Sequence, residues 1–150
     1  MADFYLDSSA IFKHYHYEPG SDVVDALFET ESAHAIYTSI FTILEVRATA
    51  TRLNRGGRIA NRALRVLRDR LLVETGTRLR LVALTDVLMD VSQDLAETYG
   101  LTAGDAVQLG SALETASSSR VRVLTFVSAD RQLNEAALKA GLNVLDPTAG

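Results

Sequence analysis

Four of the 19 acidic residues stand within or directly beside apolar stretches, where solvated surface acids are not expected. They are Asp7, Glu45, Asp105 and Asp130. A carboxylate among apolar side chains is costly unless it is paired with a cation or a metal. Carboxylates that converge in one crevice also repel one another, and a divalent cation resolves that conflict. A site built from carboxylates suits Mg²⁺ or Mn²⁺ rather than zinc, and such a cation would bind phosphate oxygens, activate a water and stabilise a leaving oxygen.

Each of these acids also has a simpler structural interpretation when it is taken alone. Asp7 is a typical helix N-cap, Thr102 with Asp105 resembles a capping box, and Asp130 suits the first turn of a helix. Glu45 would lie on the polar face of an amphipathic helix, although Phe41 shares that side. The four acids are therefore more informative together than separately.

Short β-prone runs alternate with helical patterns along the chain, which predicts an α/β fold. We expect one domain over residues 1–150, with a central parallel sheet of about five strands flanked by helices. Sites in such sheets form beyond the carboxyl ends of the strands, where Asp7 and Asp130 fall. The predicted strands are 4–6, 35–38, 79–84, 121–127 and 143–145, and the predicted helices are 21–31, 40–53, 58–75 and 86–100, with others beginning at Ser8, Thr102 and Ser128.

The composition excludes several other kinds of chemistry. The chain has no Cys, so a disulfide scaffold, a thiolate zinc site and a Cys nucleophile are ruled out. It also lacks a Walker A motif, a dinucleotide-binding glycine fingerprint and a Gly-x-Ser-x-Gly elbow. No signal peptide and no membrane-spanning run are recognised, so we expect a cytoplasmic protein without membrane contact.

The net charge of −4 is unevenly distributed. Residues 47–80 hold ten Arg and two acids, a local charge of +8 that keeps a polyanionic partner possible. Most of these arginines alternate with apolar residues, as in a solvated amphipathic helix. Guanidinium and ammonium groups nearer the acids are the better candidates for contacts with RNA phosphates. These candidates are Lys13, Arg47, Arg52 and Arg55.

Four segments in this order resemble the motifs of one nuclease family. They are DSSAIFK at 7–13, LEVRA at 44–48, DAVQL at 105–109 and LTFVSAD at 124–130. With the alternating βα pattern, they are similar to the PIN-domain ribonucleases, and most similar to the VapC-type toxins of bacterial type II toxin–antitoxin pairs. The resemblance covers essentially the whole chain. The high arginine content of residues 47–80 is not part of the family pattern.

The resemblance implies an endoribonuclease that depends on Mg²⁺ or Mn²⁺. The acidic quartet holding the metal would be Asp7, Glu45, Asp105 and Asp130, with Ser8 and Ser128 orienting water or carboxylates. The protein would cleave RNA to products with 5′-phosphate and 3′-hydroxyl ends. It would act as a toxin silenced by a cognate antitoxin protein, and it would form a homodimer. Apolar faces near residues 11–28 and 59–71 are the surfaces that fit such partners.

Two alternatives to this function stay open at the level of sequence. The first is an RNA-processing or DNA-acting nuclease without a toxin role. The second is a catalytically silent PIN-like module that binds RNA or protein, which a lack of Mn²⁺ binding would favour. The sequence names neither the RNA, nor the cleavage sequence, nor the number of metal ions.

Overall fold

The computed structural model describes residues 2–29, 33–118 and 120–149, and it shows an α/β fold with a five-stranded sheet. All paired strands are parallel, in the order β3-β2-β1-β4-β5. This confirms the predicted fold class. The elements are β1 Asp3–Leu6, α1 Ser8–Tyr15, α2 Ser21–Phe28, β2 Ala35–Ser39, α3 Ile40–Arg55, α4 Asn61–Thr77, β3 Leu79–Val82, α5 Asp86–Tyr99, α6 Ala103–Ala116, β4 Leu124–Val127, α7 Arg131–Lys139 and β5 Asn143–Leu145.

The strand order reverses beside β1, and this reversal creates the crevice that holds the site. The chain moves from β1 outward to β2 and β3, then returns to place β4 on the other side of β1. Leu6 pairs with Val127 at the carboxyl ends of the two central strands. The Asp7 N–H then donates to the Val127 carbonyl at 3.1 Å. Loops that leave β1 and β4 in opposite directions open a crevice at that point.

The helices around the crevice begin at polar side chains that cap them. Asp7 caps α1, Ser39 caps α3, Thr102 caps α6 and Asp130 caps α7. Each side-chain oxygen accepts a hydrogen bond from an N–H of the first helical turn, a group with no partner inside the helix. Two of the predicted acids, Asp7 and Asp130, thus serve as N-caps, and their caps fix where they sit.

Two helices begin later than predicted. The prediction that a helix begins at Ser128 is wrong, because Asp130 accepts from the Leu133 N–H at 3.0 Å and α7 begins at Arg131. Ser128 instead stays in the turn after β4. The predicted helix 58–75 lies at Asn61–Thr77, because the N–H groups of Arg58 and Ile59 both return to the Leu53 carbonyl and close a loop.

Two strands are shorter than predicted because the neighbouring strand with which each one pairs does not extend further. In β3, Val82 pairs with Ser39, the last residue of β2, so residues 83–84 have no ladder to join. In β4, Leu124 pairs with Asp3, the first residue of β1, so residues 121–123 precede the sheet. The helix predicted at 21–31 ends at Phe28, and its last two predicted residues lie outside the described residues.

The hydrophobic core forms two clusters around the sheet. The first cluster includes many of the apolar residues at 11–28 and 59–71 that the sequence analysis proposed as partner contacts. The first cluster contains Ile11, Val24, Leu27, Leu67 and Leu71, all of them buried. The predicted partner surfaces at residues 11–28 and 59–71 are therefore largely internal. Their burial stabilises α1, α2 and α4 against the sheet. Within the described part of the chain, no helix is long and apolar enough to cross a membrane.

Candidate active site and metal centre

A cleft of about 290 Å³ opens at the carboxyl ends of the central strands. It contains all four acids of the predicted quartet, together with a fifth carboxylate, Glu18. None of the side chains that the structure describes along its wall is basic. The complete lining is Asp7, Ser8, Ser9, Phe12, Glu18, Glu45, Val46, Thr49, Asp105, Gln108 and Asp130.

Asp7 is the most deeply placed acid of the cleft, with 4% of its surface exposed. Its Oδ1 accepts hydrogen bonds from the Ala10 N–H at 2.9 Å and from the Ser9 hydroxyl at 2.7 Å. Its Oδ2 accepts from the Ser128 hydroxyl at 2.6 Å. A carboxylate oxygen has two lone pairs, so Oδ1 is saturated while Oδ2 keeps one for a ligand.

Burial raises the pKa of Asp7 from its ordinary value of 3.8 to about 6. The hydrogen bonds from Ser128, Ser9 and Ala10 favour the charged form and oppose this effect, while the negative charge of Asp105 adds to it. The protein thus holds a carboxylate in a place that disfavours its charge. A bound cation would favour the ionised form of Asp7 and lower its pKa.

Glu45 reaches the cleft from the second turn of α3. Its Oε1 accepts from the Ser8 hydroxyl at 2.5 Å and from the Gln108 amide at 2.9 Å. Its Oε2 faces Gly104 of α6, where a Cβ atom would come within 3.3 Å of it. The polar side of α3 at Glu45 therefore points into the cleft, and the absence of a side chain at Gly104 makes room for the carboxylate.

Asp105 and Asp130 complete the acidic wall from the starts of α6 and α7, and both are half-buried. Burial raises the pKa of Asp105, and the charges of Asp130 and Glu45 raise it further, against a hydrogen bond from Thr102 that lowers it. The electrostatic coupling means that these carboxylates act on one another across the cleft. Asp105 also occupies the capping-box position, because its N–H donates to the Thr102 hydroxyl at 3.3 Å.

The two serines named in the sequence contact acids of the quartet. Ser8 donates to Glu45, and Ser128, which is fully buried behind the cleft, donates to Asp7. The Ser128 hydroxyl also accepts from the Asp130 N–H at 3.0 Å. Ser128 therefore connects Asp7 with Asp130.

The basic residues named in the sequence are dispersed. Lys13 is buried and its Nζ lies 2.8 Å from Glu18, so its charge is already paired beside the cleft. Arg52 is exposed and donates to the hydroxyl of Thr49, which lines the cleft, at 3.3 Å. Arg47 lines a separate small cavity between α3 and α4, because two residues along a helix turn a side chain about 200° away from Glu45. Arg55 is exposed in the last turn of α3 and is not among the residues lining the cleft.

Sequence reasoning missed three polar residues of the site. Ser9 bridges Asp7 and the Ala129 N–H, which donates to its hydroxyl at 3.1 Å. Glu18 lines the cleft while pairing with Lys13. Gln108 lies three residues after Asp105 on a buried helix face. That placement was a signal available in the sequence, since an uncharged polar residue is costly to bury without partners.

The donor set fits Mg²⁺ or Mn²⁺. It is made of oxygen atoms and carries several negative charges without a lining base. The side-chain hydrogen bonds described above leave Oε2 of Glu45 and one lone pair of Asp7 Oδ2 for a ligand. Within the described residues, no three or more Asp, Glu or His side chains converge into a formed metal site. Mutual repulsion keeps such carboxylates apart, and Mg²⁺ usually takes one or two carboxylates with waters and substrate phosphate.

The space at Gly104 leads to a first prediction. In Gly104→Ala, the new Cβ would crowd Glu45 Oε2 at 3.3 Å and Phe41 at 3.6 Å, so the carboxylate must shift. We expect Mn²⁺ affinity, measured by calorimetric titration, to fall about 10-fold, in line with other changes that misplace a ligand. We expect the free energy of unfolding to change by less than about 1 kcal/mol, because Ala favours a helix over Gly.

Gly76→Ala is the matched control for this prediction. Gly76 is exposed near the end of α4, and a Cβ there would meet nothing within 4 Å. This variant should bind Mn²⁺ like the wild type. Equal Mn²⁺ affinity for Gly104→Ala and Gly76→Ala would show that the gap beside Glu45 has no part in metal binding.

Comparison with known proteins identifies the family of this fold and cleft. The sequence profile described as "PIN domain" matches residues 4–139, which is most of the chain. The chain belongs to the PIN domain family. No significant match was found among curated protein sequences. The predicted resemblance to PIN domains is thereby confirmed, and the acids of the cleft lie within the matched range.

Several solved structures share the fold of this chain. FitAcB from Neisseria gonorrhoeae has 20% identity over 98% of this chain and 99% of its own, with a TM-score of 0.69. VapC20 of Mycobacterium tuberculosis, described as a sarcin–ricin loop cleaving toxin, has 16% identity over 93% and 95%, with a TM-score of 0.63. A toxin–antitoxin complex from Klebsiella pneumoniae has 16% identity, 98% coverage of both chains and a TM-score of 0.60. At these identities the likeness shows the shared PIN fold.

Proposed function

We propose that this PIN domain is an endoribonuclease that depends on Mg²⁺ or Mn²⁺ and serves as the toxin of a toxin–antitoxin pair. The observation that carries the proposal is the cleft itself, which gathers Asp7, Glu45, Asp105 and Asp130 from four separate elements without a lining base. A fold alone does not define an activity, so the argument rests on these side chains. The sarcin–ricin loop cleavage described for VapC20 supports RNA as the substrate class.

The four acids would hold the cation, and their neighbours would keep them in place. When bound, the cation supplies charge neutralisation for the phosphate and the leaving oxygen and acidifies a water. Ser8 fixes Glu45, while Ser9, Ser128 and the Ala10 N–H fix Asp7. Products would carry 5′-phosphate and 3′-hydroxyl ends. Asp105 and Asp130 are half-buried and line the cleft, and the RNA backbone would bind at its solvent-open side.

Contacts with the RNA phosphates are assigned to the rim of the cleft. Arg52, exposed beside Thr49, is the candidate that the geometry favours most. Lys13 would contact a phosphate by exchanging its bond with Glu18. A net charge of −4 opposes RNA binding, and a bound cation reduces that opposition at the place where the phosphate sits.

Cleavage of RNA by purified protein tests the proposal. We expect Asp7→Asn and Asp105→Asn to cleave about 10²- to 10³-fold more slowly than the wild type in Mn²⁺, because a bound metal contributes several kcal/mol to charge stabilisation in the transition state. The rate would be followed on an end-labelled single-stranded RNA, with a DNA of the same sequence in parallel. Ligation and phosphatase treatment of the products identifies their ends.

Asp94→Asn provides the matched control for cleavage, because Asp94 is an exposed acid of α5 away from the cleft. It should retain the wild-type rate. Undiminished cleavage by both cleft variants would overturn the proposed site. Mn²⁺ binding without cleavage of RNA or DNA would instead favour a silent binding module, and cleavage of the DNA alone would favour a DNA-acting nuclease.

The toxin role implies an antitoxin partner and, by the same proposal, a homodimer in the cytoplasm. The Klebsiella pneumoniae complex supports the first of these partners. Most apolar residues at 11–28 and 59–71 are internal, so the available contacts are exposed ones such as Tyr17 at 75%, Leu72 at 74% and Val87 at 74% exposure. Expression alone should arrest growth, and co-expression of a small protein from the adjacent reading frame should relieve it. Sedimentation of the purified chain measures the dimer.

A further inference from the structure

Gln108 is the most completely hydrogen-bonded side chain behind the cleft. It is 2% exposed and lies on α6, one turn after Asp105. Its amide Nε2, whose two hydrogens are shared among three acceptors, lies 2.9 Å from Glu45 Oε1, 2.9 Å from the Ser8 hydroxyl and 3.0 Å from the Thr42 hydroxyl. Its Oε1 accepts from the Tyr5 hydroxyl at 2.7 Å. One side chain therefore links β1, α1, α3 and α6.

The partners on either side of the amide determine which way it faces. The Tyr5 hydroxyl donates its proton to Oε1 at 2.7 Å, which identifies that atom as the amide oxygen. The Glu45 carboxylate, an acceptor when ionised, requires the NH₂ group to face it. A turned amide would place two oxygens against each other at Glu45 and two donors at Tyr5. The Tyr5 ring is itself held, stacked on Phe126 with centroids 5.7 Å apart.

This network saturates one oxygen of Glu45 and leaves the other available. Ser8 and Gln108 together fill both lone pairs of Oε1, whereas Oε2 faces the gap at Gly104. A free Glu side chain samples many rotamers, and fixing it costs conformational entropy when a ligand binds. Because the hydrogen bonds from Ser8 and Gln108 already fix the Glu45 side chain, cation binding would not carry this entropy cost.

We propose that Gln108 is a positioning residue that holds Glu45 and Ser8 in the orientation needed to bind the divalent cation. This inference rests on the proposed function for the identity of the ligand. Gln108 itself does not contact the metal in this proposal and acts through Glu45. An apolar residue of similar size would fill the same volume, so the amide is explained by its bonds rather than by packing.

The test replaces Gln108 with a side chain of similar length that makes none of these bonds. In Gln108→Met, we expect the dissociation constant for Mn²⁺ to rise about 10- to 100-fold, as for other groups that orient metal ligands. Binding is followed by the loss of the free Mn²⁺ signal in electron paramagnetic resonance, without RNA. In metal-free crystals of the variant, we expect the Glu45 carboxylate to leave its position beside Ser8.

Two further variants separate positioning from a general loss of stability. Thr115→Val removes a buried hydroxyl from the same helix face of α6, where it bonds the Ser111 carbonyl, and it should leave Mn²⁺ binding unchanged. Tyr5→Phe keeps the ring but removes the 2.7 Å bond to Oε1 of Gln108 and leaves this oxygen the Thr42 hydroxyl at 3.3 Å, so it should weaken Mn²⁺ binding in the same direction as Gln108→Met. If Gln108→Met fails to fold, Tyr5→Phe decides the question.

The outcomes distinguish this inference from the proposed function. Mn²⁺ affinity within about twofold of the wild type in both Gln108→Met and Tyr5→Phe overturns the positioning role. If the wild type binds no Mn²⁺, the metal-dependent function fails, and the crystal structures still decide the role of Gln108. A Glu45 carboxylate that stays in place in Gln108→Met then overturns it.

Discussion

Asp7→Asn is expected to make the metal-free protein more stable at pH 7.5 while it slows the proposed cleavage about 10²- to 10³-fold. The pKa of the buried carboxyl lies at about 6 in the folded protein, against an ordinary value of 3.8. An acid with a raised pKa in the folded state costs stability as pH rises through that interval, and the cost reaches about 3 kcal/mol above it. Asn carries no charge and caps a helix as well as Asp does.

The measurement is the free energy of unfolding in urea across a range of pH. We expect the variant to gain about 1–3 kcal/mol at pH 7.5, with the lost charge-assisted hydrogen bonds offsetting part of the full amount. The gain should shrink as the pH falls from 6 towards 4 and disappear near pH ~2–3, below both pKa values, where the carboxyl of the wild type is protonated in both states. The exposed-acid control Asp94→Asn should show no such dependence. A variant less stable than the wild type at every pH would contradict the account of Asp7.

Mn²⁺ is expected to stabilise the wild type and to leave Asp7→Asn almost unaffected. A ligand that binds the folded state at 100 times its dissociation constant adds about 2.7 kcal/mol of stability. A bound cation would relieve the burial cost of Asp7 and the repulsion from Asp105, so its binding and the charge of Asp7 would be linked. Below pH 6 the metal must displace a proton, and its affinity should fall about tenfold per pH unit.

Thermal unfolding in Mn²⁺ at pH 7.5 and at pH 5 measures this linkage. A parallel measurement in NaCl at the same ionic strength separates Mn²⁺ binding at the site from general screening of the protein's charges. The control Asp94→Asn should show the same rise in Tm with Mn²⁺ as the wild type. An equal rise in Tm for Asp7→Asn and the wild type would place the metal elsewhere. A rise that is the same at both pH values would remove Asp7 from the ligand set.

The sequence was sufficient for the parts of this site that depend on local pattern. Residues that follow a β-prone run in an α/β chain must lie at the carboxyl edge of the sheet, which placed Asp7 and Asp130 correctly near the crevice. The N-cap interpretation of Asp7 is also confirmed, and it does not compete with a role in the cleft, because one oxygen caps α1 while the other faces Ser128. Glu45 and Asp105 line the same cleft, and their role as ligands stays a prediction.

The parts that depend on partners far apart in the chain were not accessible. Gln108 bonds to Tyr5 and Ser8 across separations of 103 and 100 residues, and no periodicity records such a contact. Closeness in sequence was a poor guide for Arg47, because the helical turn carries it away from Glu45. The core covers most apolar residues at 11–28 and 59–71, and the sequence could not show this, since an amphipathic helix has the same pattern whether a core or a partner covers it. Their use as partner surfaces stays a prediction.

The bond between Ser128 and Asp7 spans 121 residues and has a consequence for the timing of synthesis. A ribosome-bound chain that ends before β4 has neither the strand that pairs with β1 nor the hydroxyl that steadies Asp7. Domains fold as units once their sequence has emerged. Translation products that end before β4 should therefore lack the folded cleft and the proposed nuclease activity. The proposed nuclease activity would therefore arise only when translation of the chain is nearly complete.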